Sequence, residues 1–378
     1  MKHWPTKSLG ELVSLEYGKA LKAEDRSENG RFPVYGSNGI VGTHNAAVVK
    51  EPTIVVGRKG AIGEVHLAEN GCWPIDTAFY TQFRQPDVVS LQYLLLWFRS
   101  VDLKSLGITA TIPGLNRNTL YEQQVPVPPL AEQERIVKLL DEADALRKLC
   151  AQADRRTAAL IPALFHQMFG DPSTNSKRWP LCPISSFVEE LHGGRSFNPA
   201  GADEAAGRFR VLKISAVTWG DFNPEESKPV SASYEPPESH FVRAGDLLFS
   251  RANTTELVAA TSYVFDTPPN LLLPDKLWRF VWKQPRVVEP LFVWWLLQAP
   301  SVRGELGQRA TGTGGSMKNI SKPKVMSLEV PVPPLALQKE FAERVMEICA
   351  LAAAQAASRQ RLDNLFQSML HQAFNGEL

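Results

Sequence analysis

Cysteine is scarce in this sequence, and long apolar runs are missing. The 378 residues include only four cysteines, and none of them has the spacing of a zinc site. The longest apolar run, residues 291–297, is far too short to span a bilayer, and no basic, apolar leader follows Met1. These absences predict reduced thiols in a protein of the cytoplasm. The cysteines are Cys72, Cys150, Cys182 and Cys349.

Motifs of catalysis and cofactor binding are also missing. No Gly-x-x-x-x-Gly-Lys-Ser/Thr loop occurs, which excludes a P-loop nucleotidase, and the glycines at 312–315 precede no dinucleotide-type strand–helix unit. An Asn-Pro-Pro-Tyr stretch is absent, since residues 267–270 read Thr-Pro-Pro-Asn, and this disfavours a DNA methyltransferase that works alone. The seven histidines never pair at metal-ligand spacing. We therefore predict no catalytic residue, no metal and no cofactor.

A long internal repeat is present instead. Val-Pro-Val-Pro-Pro-Leu-Ala occupies residues 125–131 and again 330–336, an offset of 330 − 125 = 205. The offset continues without a gap for about forty residues and pairs Gln133 with Gln338 and His166 with His371. A repeat of this length predicts two copies of one structural unit.

Each repeat has the pattern of a long helix. The proline run stiffens the entry into each helix, Glu132 and Glu134 lie in the first turn of the first copy, and apolar residues recur at the 3-4 spacing of a coiled coil. Two such seams in one chain most simply bury each other, while the alternative is two unrelated amphipathic helices on separate cores. The predicted seams are Ile136, Leu139, Ala143, Leu146, Cys150, Ala153, Thr157, Leu160 and Leu164, and Phe341, Ile348, Leu351, Leu362, Leu365 and Met369.

The segments before the two repeats are rich in turns and short apolar runs, which predicts mixed α+β domains. We expect strands at 47–49, 53–56 and 246–249, and helices at 91–98 and 289–297. The predicted fold is α+β, with two globular target-recognition domains separated by two long antiparallel coiled-coil helices in a pseudo-two-fold repeat. The predicted boundaries are 1–124, 125–170, 171–329 and 330–378.

The net charge of +1 is uninformative, but cations cluster just before each repeat, at 99–117 and 301–324. Loops bounded by glycine also carry the side chains that hold phosphates and read base edges: arginine, lysine, asparagine, serine and threonine. For any one of them, an ordinary surface position is the alternative. The candidate DNA-binding residues are Ser37, Asn38, Arg58, Lys59, Arg117, Arg251, Asn253, Thr254, Lys276, Thr313, Ser316 and Lys318.

Several stretches together resemble the specificity subunit of type I restriction–modification systems, over essentially the whole chain. They include Val-Pro-Val-Pro-Pro-Leu-Ala-Glu-Gln-Glu-Arg at 125–135, His-Gln-Met-Phe-Gly-Asp-Pro at 166–172 and Phe-Ser-Arg-Ala-Asn-Thr at 249–254. The resemblance implies two target-recognition domains that bind double-stranded DNA. It also implies two methyltransferase subunits as partners, which supply the cofactor site for N6-adenine methylation, and a restriction and translocase subunit.

We therefore predict a non-catalytic subunit that recognises a bipartite DNA site, with no membrane partner. Two alternatives remain open at this stage. One is a coiled-coil interaction scaffold whose end domains bind protein or sugar, and the other is an unaided DNA methyltransferase. Steep weakening of DNA binding by salt distinguishes the first prediction from the scaffold.

Overall fold

The computed structural model describes residues 4–107, 114–196, 208–231, 233–312 and 317–378. The chain divides into two compact units. Unit 1 comprises Met1–Ala153 with Gln355–Leu378, and unit 2 comprises Asp154–Ala354. Each of the two long helices therefore has residues in both units.

Unit 1 begins with short strands and ends in the first long helix. Its elements are β1 (Thr6–Ser8), α1 (Leu9–Leu12), β2 (Val13–Tyr17), β3 (Phe32–Gly36), β4 (Gly39–His44), β5 (Thr53–Gly57), β6 (Val65–Ala68), β7 (Trp73–Pro74), β8 (Ala78–Phe83), α2 (Leu91–Ser100), α3 (Arg117–Tyr121), β9 (Gln124–Pro126) and α4 (Leu130–Phe169).

Strand β5 lies at the centre of unit 1. It belongs to an antiparallel sheet of order β2-β8-β5-β6, beside a second sheet of order β4-β3-β7 and a β1-β9 pair. All five of its residues are buried. Ile54 and Val56 pack into the main core with α2, whereas Val55 packs into a smaller core with Tyr35. This alternation is the period of two that a strand covered on both faces requires.

Unit 2 follows the same sequence of elements. They are β10 (Leu181–Pro183), β11 (Val188–Gly193), β12 (Arg210–Leu212), β13 (Ser227–Pro229), β14 (Leu247–Ser250), β15 (Ala252–Asn253), β16 (Thr261–Tyr263), β17 (Leu271–Leu272), β18 (Leu277–Trp282), α5 (Pro290–Gln298), α6 (Pro300–Arg309), β19 (Lys318–Asn319), α7 (Lys322–Met326), β20 (Glu329–Pro331) and α8 (Leu335–Asn375).

The sheets of unit 2 repeat those of unit 1. Their orders are β11-β18-β14-β16, β13-β12-β17 and β10-β20, and a short β15-β19 pair is added. In both units the three-stranded sheet contains one antiparallel and one parallel pair. The predicted internal repeat and the α+β class are therefore confirmed.

Most of the predicted elements are present, with ends that differ by one or two residues. The helices expected at 91–98 and 289–297 are α2 and α5, and the strands expected at 53–56 and 246–249 are β5 and β14. The prediction of a strand at 47–49 is wrong. The N–H groups of Val48 and Val49 both donate to the carbonyl oxygen of Cys72, and such shared pairing cannot continue a ladder.

The two long helices are antiparallel. In unit 1, Arg147 Nε lies 2.6 Å from Asp363 Oδ1, and Arg135 Nη2 donates to the carbonyl oxygen of Leu378 at 2.8 Å. The partner's number rises as the number along α4 falls, which confirms the predicted direction. In unit 2, the ring of Phe341 packs against the rings of Phe165 and Phe169 at 5.7 and 5.3 Å.

The seam prediction is wrong for four leucines, which are not buried between the helices. Leu146 and Leu160 of α4, and Leu351 and Leu365 of α8, are each about half exposed. A straight α-helix drifts by about 20° per heptad from a 3.5-residue repeat, so a strict seam leaves the buried face. Full burial is instead concentrated where each helix packs on a domain, as at Ile136. No helix in the described part of the chain combines the length and apolarity needed to cross a bilayer.

A buried glutamine at the start of each long helix forms hydrogen bonds with the domain that precedes the helix. Gln133 Oε1 accepts from Ser90 N at 2.9 Å, and its Nε2 donates to Val88 O and Pro128 O, both at 2.8 Å. Gln338 repeats this, accepting from Glu289 N at 2.8 Å and donating to Pro333 O at 2.7 Å. Both side chains are fully buried, so the amides satisfy backbone groups that water cannot reach.

Replacing Gln338 with leucine tests this role. The change keeps the volume but leaves buried backbone groups without partners, so we expect a loss of about 2–4 kcal/mol in the free energy of unfolding. Denaturant melts of the full chain measure it. The matched control is Gln167→Leu at an exposed position of α4, where we expect a change within about 0.5 kcal/mol. Equal effects of the two substitutions would contradict the assignment.

Candidate nucleic-acid interface

Arg58 follows β5, the central strand of unit 1, and hydrogen bonds fix its position. Its N–H donates to Thr77 O at 2.9 Å, and its Nη2 donates to Asp76 O at 2.8 Å. The strand ends on a glycine because space is lacking. A Cβ on Gly57 would lie 2.2 Å from Ala61 O and 2.5 Å from Ser37 O. Close packing at the end of β5 and these two hydrogen bonds therefore hold the guanidinium along the edge of β8.

Arg58 shares an aromatic surface with a second cation. Its Cζ lies 4.9 Å from the ring centre of Tyr17 and 5.7 Å from that of Phe79, and Arg117 Cζ lies 5.1 Å from Tyr17 on the same ring. We call Arg58, Arg117, Tyr17 and Phe79 the Arg58 cluster. Contacts of this kind are worth about 0.5–1 kcal/mol each at exposed sites, and Tyr17 is 48% exposed.

The backbone holds Arg117 against this surface. Leu115 N donates to Arg58 O at 2.9 Å, which ties the segment before α3 to the end of β5. Asn116 then caps α3 by accepting from Asn118 N at 2.9 Å. Arg117 Nη1 completes the arrangement with a contact of 3.4 Å to Leu15 O. The two cations, far apart in sequence, are thus brought together by strand pairing.

Unit 2 repeats the arrangement in the same register. Arg251 follows β14, donates from its N–H to Lys276 O at 3.1 Å and from Nε to Asp275 O at 2.9 Å. Its Cζ lies 5.9 Å from the ring centre of Trp278, and Lys322 Nζ lies 6.0 Å from the same ring. We call Arg251, Lys322, Trp278 and Asp275 the Arg251 cluster. Ile320 N donates to Arg251 O at 2.9 Å, as Leu115 N does to Arg58 O.

The two clusters use different aromatic residues. In unit 1, Tyr17 of β2 pairs with Phe79 of β8, and both rings contact the cations. In unit 2, the paired residues are Gly193 and Trp278, so the indole alone supplies the surface. A Cβ on Gly193 would lie 3.1 Å from Trp278 Cδ1. The glycine therefore leaves room for the larger ring.

The clusters also differ in charge. Asp275 Oδ2 lies 3.3 Å from Arg251 Nη2, and both side chains are about one-third exposed. In the ranges that the structure describes, Arg58 has no carboxylate as an ion-pair partner. Unit 1 thus presents two guanidinium groups without a carboxylate partner among the described residues, whereas in unit 2 Arg251 is paired with Asp275 and Lys322 Nζ lies 3.7 Å from Glu190 Oε1.

The comparisons with known proteins agree with one another. Residues 1–153 match the family model described as the type I restriction modification DNA specificity domain. The chain is 29% identical over 302 residues to the EcoKI specificity subunit of Escherichia coli K12, covering 73% of this chain and 62% of that protein. It is 21% identical to the MjaVIII specificity subunit of Methanocaldococcus jannaschii, covering 99% of this chain and 93% of that protein.

The fold agrees as well. The solved type I restriction–modification S subunit from M. genitalium superposes with a TM-score of 0.59 at 14% identity, covering 98% of this chain and 96% of that chain. This chain is therefore similar to type I specificity subunits in both sequence and fold. It spans 62% of the length of the EcoKI subunit.

Several predicted site residues lie next to the clusters. Ser37 and Asn38 form the β3–β4 turn, and the position of a Cβ on Gly60 would lie 3.9 Å from Ser37 Oγ. Lys59, which follows Arg58, is exposed and its backbone bridges to Gly114. These positions place polar and cationic groups around the Arg58 cluster.

The remaining predictions concern unit 2. Asn253 and Lys318 pair across β15 and β19, directly after Arg251, and Thr254 is exposed beyond them. Lys276 contributes its carbonyl oxygen to Arg251, as noted above. Thr313 and Ser316 lie outside the described residues. In the described ranges, no group of three or more His, Cys, Asp or Glu side chains is placed to hold a metal ion.

The sequence predictions missed Lys322 and the aromatic surfaces. Lys322 occupies the position of Arg117 in the second repeat, since 117 + 205 = 322, so the repeat offset could have identified it. Tyr17 and Trp278 carried no such signal. An aromatic residue in a strand is most often part of a core, and only the strand pairing shows which ring lies beside a cation.

Proposed function

We propose that this chain is the DNA-binding specificity subunit of a type I restriction–modification complex. It recognises a bipartite site in double-stranded DNA and has no catalytic activity of its own. Two methyltransferase subunits methylate adenine at the site, and a restriction and translocase subunit acts on unmethylated DNA. We retain 1–124 and 171–329 as the target-recognition domains, and 125–170 and 330–378 as the helices between them.

One observation carries this proposal: two matched cationic clusters stand at the same strand end of two repeated domains. Arginine beside a second cation on an aromatic surface suits contacts with phosphates and base edges. Two copies in one chain suit a site with two half-sites. The polar loops around Arg58 and Arg251 supply the further donors and acceptors that such a surface needs.

Arg58→Ala and Arg117→Ala test the DNA contact. Because both cations lack a carboxylate partner in the described ranges, we expect each to neutralise phosphate. Each loss should weaken binding on all duplexes alike and reduce the slope of log affinity against log salt by about 1. The measurement is fluorescence anisotropy of target and non-target duplexes between about 50 and 200 mM salt, with the chain in complex with its methyltransferase subunits.

The matched control is Lys50→Ala. Lys50 is exposed and precedes β5 at the end opposite to Arg58, so its removal changes the net charge equally without touching the cluster. We expect a small, long-range effect only. An unchanged slope for both arginine variants in a folded complex would remove the Arg58 cluster from the interface. Salt-independent binding by the unmodified complex would contradict the proposed function itself.

Exposed leucines on the long helices suit the methyltransferase partners. Leu146 and Leu351 occupy matched positions in the repeat, as do Leu160 and Leu365, and all four are about half exposed. Arg147, by contrast, is paired with Asp363 at 2.6 Å and does not present a free charge on the helix surface. Repeated apolar positions on two antiparallel helices offer two similar docking surfaces.

Leu351→Glu with Leu365→Glu should weaken docking of one methyltransferase subunit, because a carboxylate cannot be buried unpaired in an apolar interface. The measurement is subunit stoichiometry by native mass spectrometry, with a shift expected from two methyltransferase subunits per chain to one. Ala353→Glu is the control, since Ala353 is exposed and lies about 200° around α8 from Leu351. Unchanged two-to-one assembly of the double variant would contradict this surface.

The helices should also set the distance between the half-sites. Adding one heptad after Ala153 and one after Ser358 lengthens both helices by about 10 Å, or about 3 bp of DNA. The half-sites should persist while the unread gap between them grows by that amount, as mapped by methylome sequencing. Insertion into one helix alone is the control, and it should abolish methylation because the two helices lose register. An unchanged gap in an active complex would contradict this role of the helices.

A further inference from the structure

Arg251 is held in a way that Arg58 is not. Arg251 Nε donates to the backbone carbonyl oxygen of Asp275 at 2.9 Å, and Arg251 Nη2 lies 3.3 Å from the carboxylate of Asp275. The acid is itself fixed, because Ser196 Oγ donates to its other carboxylate oxygen. The adjoining Pro274 accepts from Gly194 N at 3.0 Å. One residue therefore fixes both the position and the plane of the guanidinium.

This pairing makes Arg251 poorly suited to a phosphate. Phosphate contacts gain their free energy largely from a cation that displaces condensed counterions. The carboxylate of Asp275 offsets most of the positive charge of Arg251 at that point. Lys318, in the adjoining β15-β19 ladder, makes no ion pair among the described residues, and its Nζ donates to Gly312 O at 3.3 Å.

The same pairing suits the reading of a base. A guanidinium carries five N–H donors in one plane, and Asp275 engages one on Nε and one on Nη2. Among the described residues, both donors of Nη1 and the second donor of Nη2 have no hydrogen-bond partner. Two parallel donors at that end match the O6 and N7 acceptors of guanine in the major groove. A fixed plane is what discrimination by a bidentate contact requires.

We propose that Arg251 reads a guanine in the half-site bound by unit 2, and that Asp275 is the positioning residue that orients it. The proposal rests on the proposed function, because it assigns a chemical role to one of the two clusters. It distinguishes the clusters: Arg251 is a base reader with little effect on salt dependence, whereas Arg58 acts through its charge.

Asp275→Ala and Arg251→Lys test the assignment in the assembled complex, on a duplex whose site has been mapped by methylome sequencing. Both variants should reduce discrimination at one G·C pair of one half-site by about ten- to a hundred-fold. Lysine keeps the charge but lacks the fork of donors. The slope of log affinity against log salt should stay unchanged for Arg251→Lys, and it should not become shallower for Asp275→Ala, which removes the carboxylate that offsets the charge of Arg251. Replacing that guanine with 7-deazaguanine, which lacks the N7 acceptor, should weaken the unmodified complex and leave Arg251→Lys unaffected.

Glu256→Ala is the matched control. It removes an exposed carboxylate from the same loop, five positions after Arg251, and should leave discrimination intact. Native-like melting of each variant complex shows that it is folded, and Arg251→Lys keeps the test valid if Asp275→Ala is unstable. A uniform loss across sequences with a shallower salt slope would overturn the base-reading role. So would a half-site without guanine, or insensitivity to 7-deazaguanine. Failure of the unmodified complex to bind DNA would instead contradict the proposed function.

Discussion

The largest hydrophobic core in each unit is completed by both long helices. The core of unit 1 contains Ile136 and Leu140 of α4 together with Leu370 and Ala373 of α8. The core of unit 2 contains Phe165 of α4 and Phe341 of α8 in the same way. In unit 1, Ile136 and Leu370 share a core although they lie 370 − 136 = 234 positions apart, and in unit 2 the separation of Phe165 and Phe341 is 341 − 165 = 176. Removal of the last helix would therefore expose the core of the first domain as well.

Because the two units have matching folds, the backbone around the two clusters is the same. In each unit the central strand is buried along its length. The residue that follows it is an arginine, which lies at the edge of the neighbouring strand of the sheet. Strand register therefore repeats the position of the cation, while its surroundings are free to differ. Two rings support Arg58, whereas one ring and one carboxylate support Arg251. A shared framework with different side chains is how one fold can recognise two unlike half-sites.

The helices show where prediction from a pattern reaches its limit. The repeat predicted their starts and their direction, and α4 ends at Phe169, before the predicted stop at Gly170. The seam at Leu146 and Leu351 was misplaced, because heptad spacing assumes that each helix packs only on the other. Here the ends of both helices pack on globular domains, as the buried Gln133 and Gln338 show.

Sequence alone determined the repeat, the α+β class, the two long helices and the arginines at the strand ends. These follow from local signals: an ungapped offset, apolar periodicity, proline and glycine stops, and polar residues after a buried strand. Only the tertiary structure decided that Tyr17 and Trp278 lie beside cations and that Asp275 holds Arg251. Those neighbours come from different strands and loops. Register between distant strands is set by the whole core, and no local pattern encodes it.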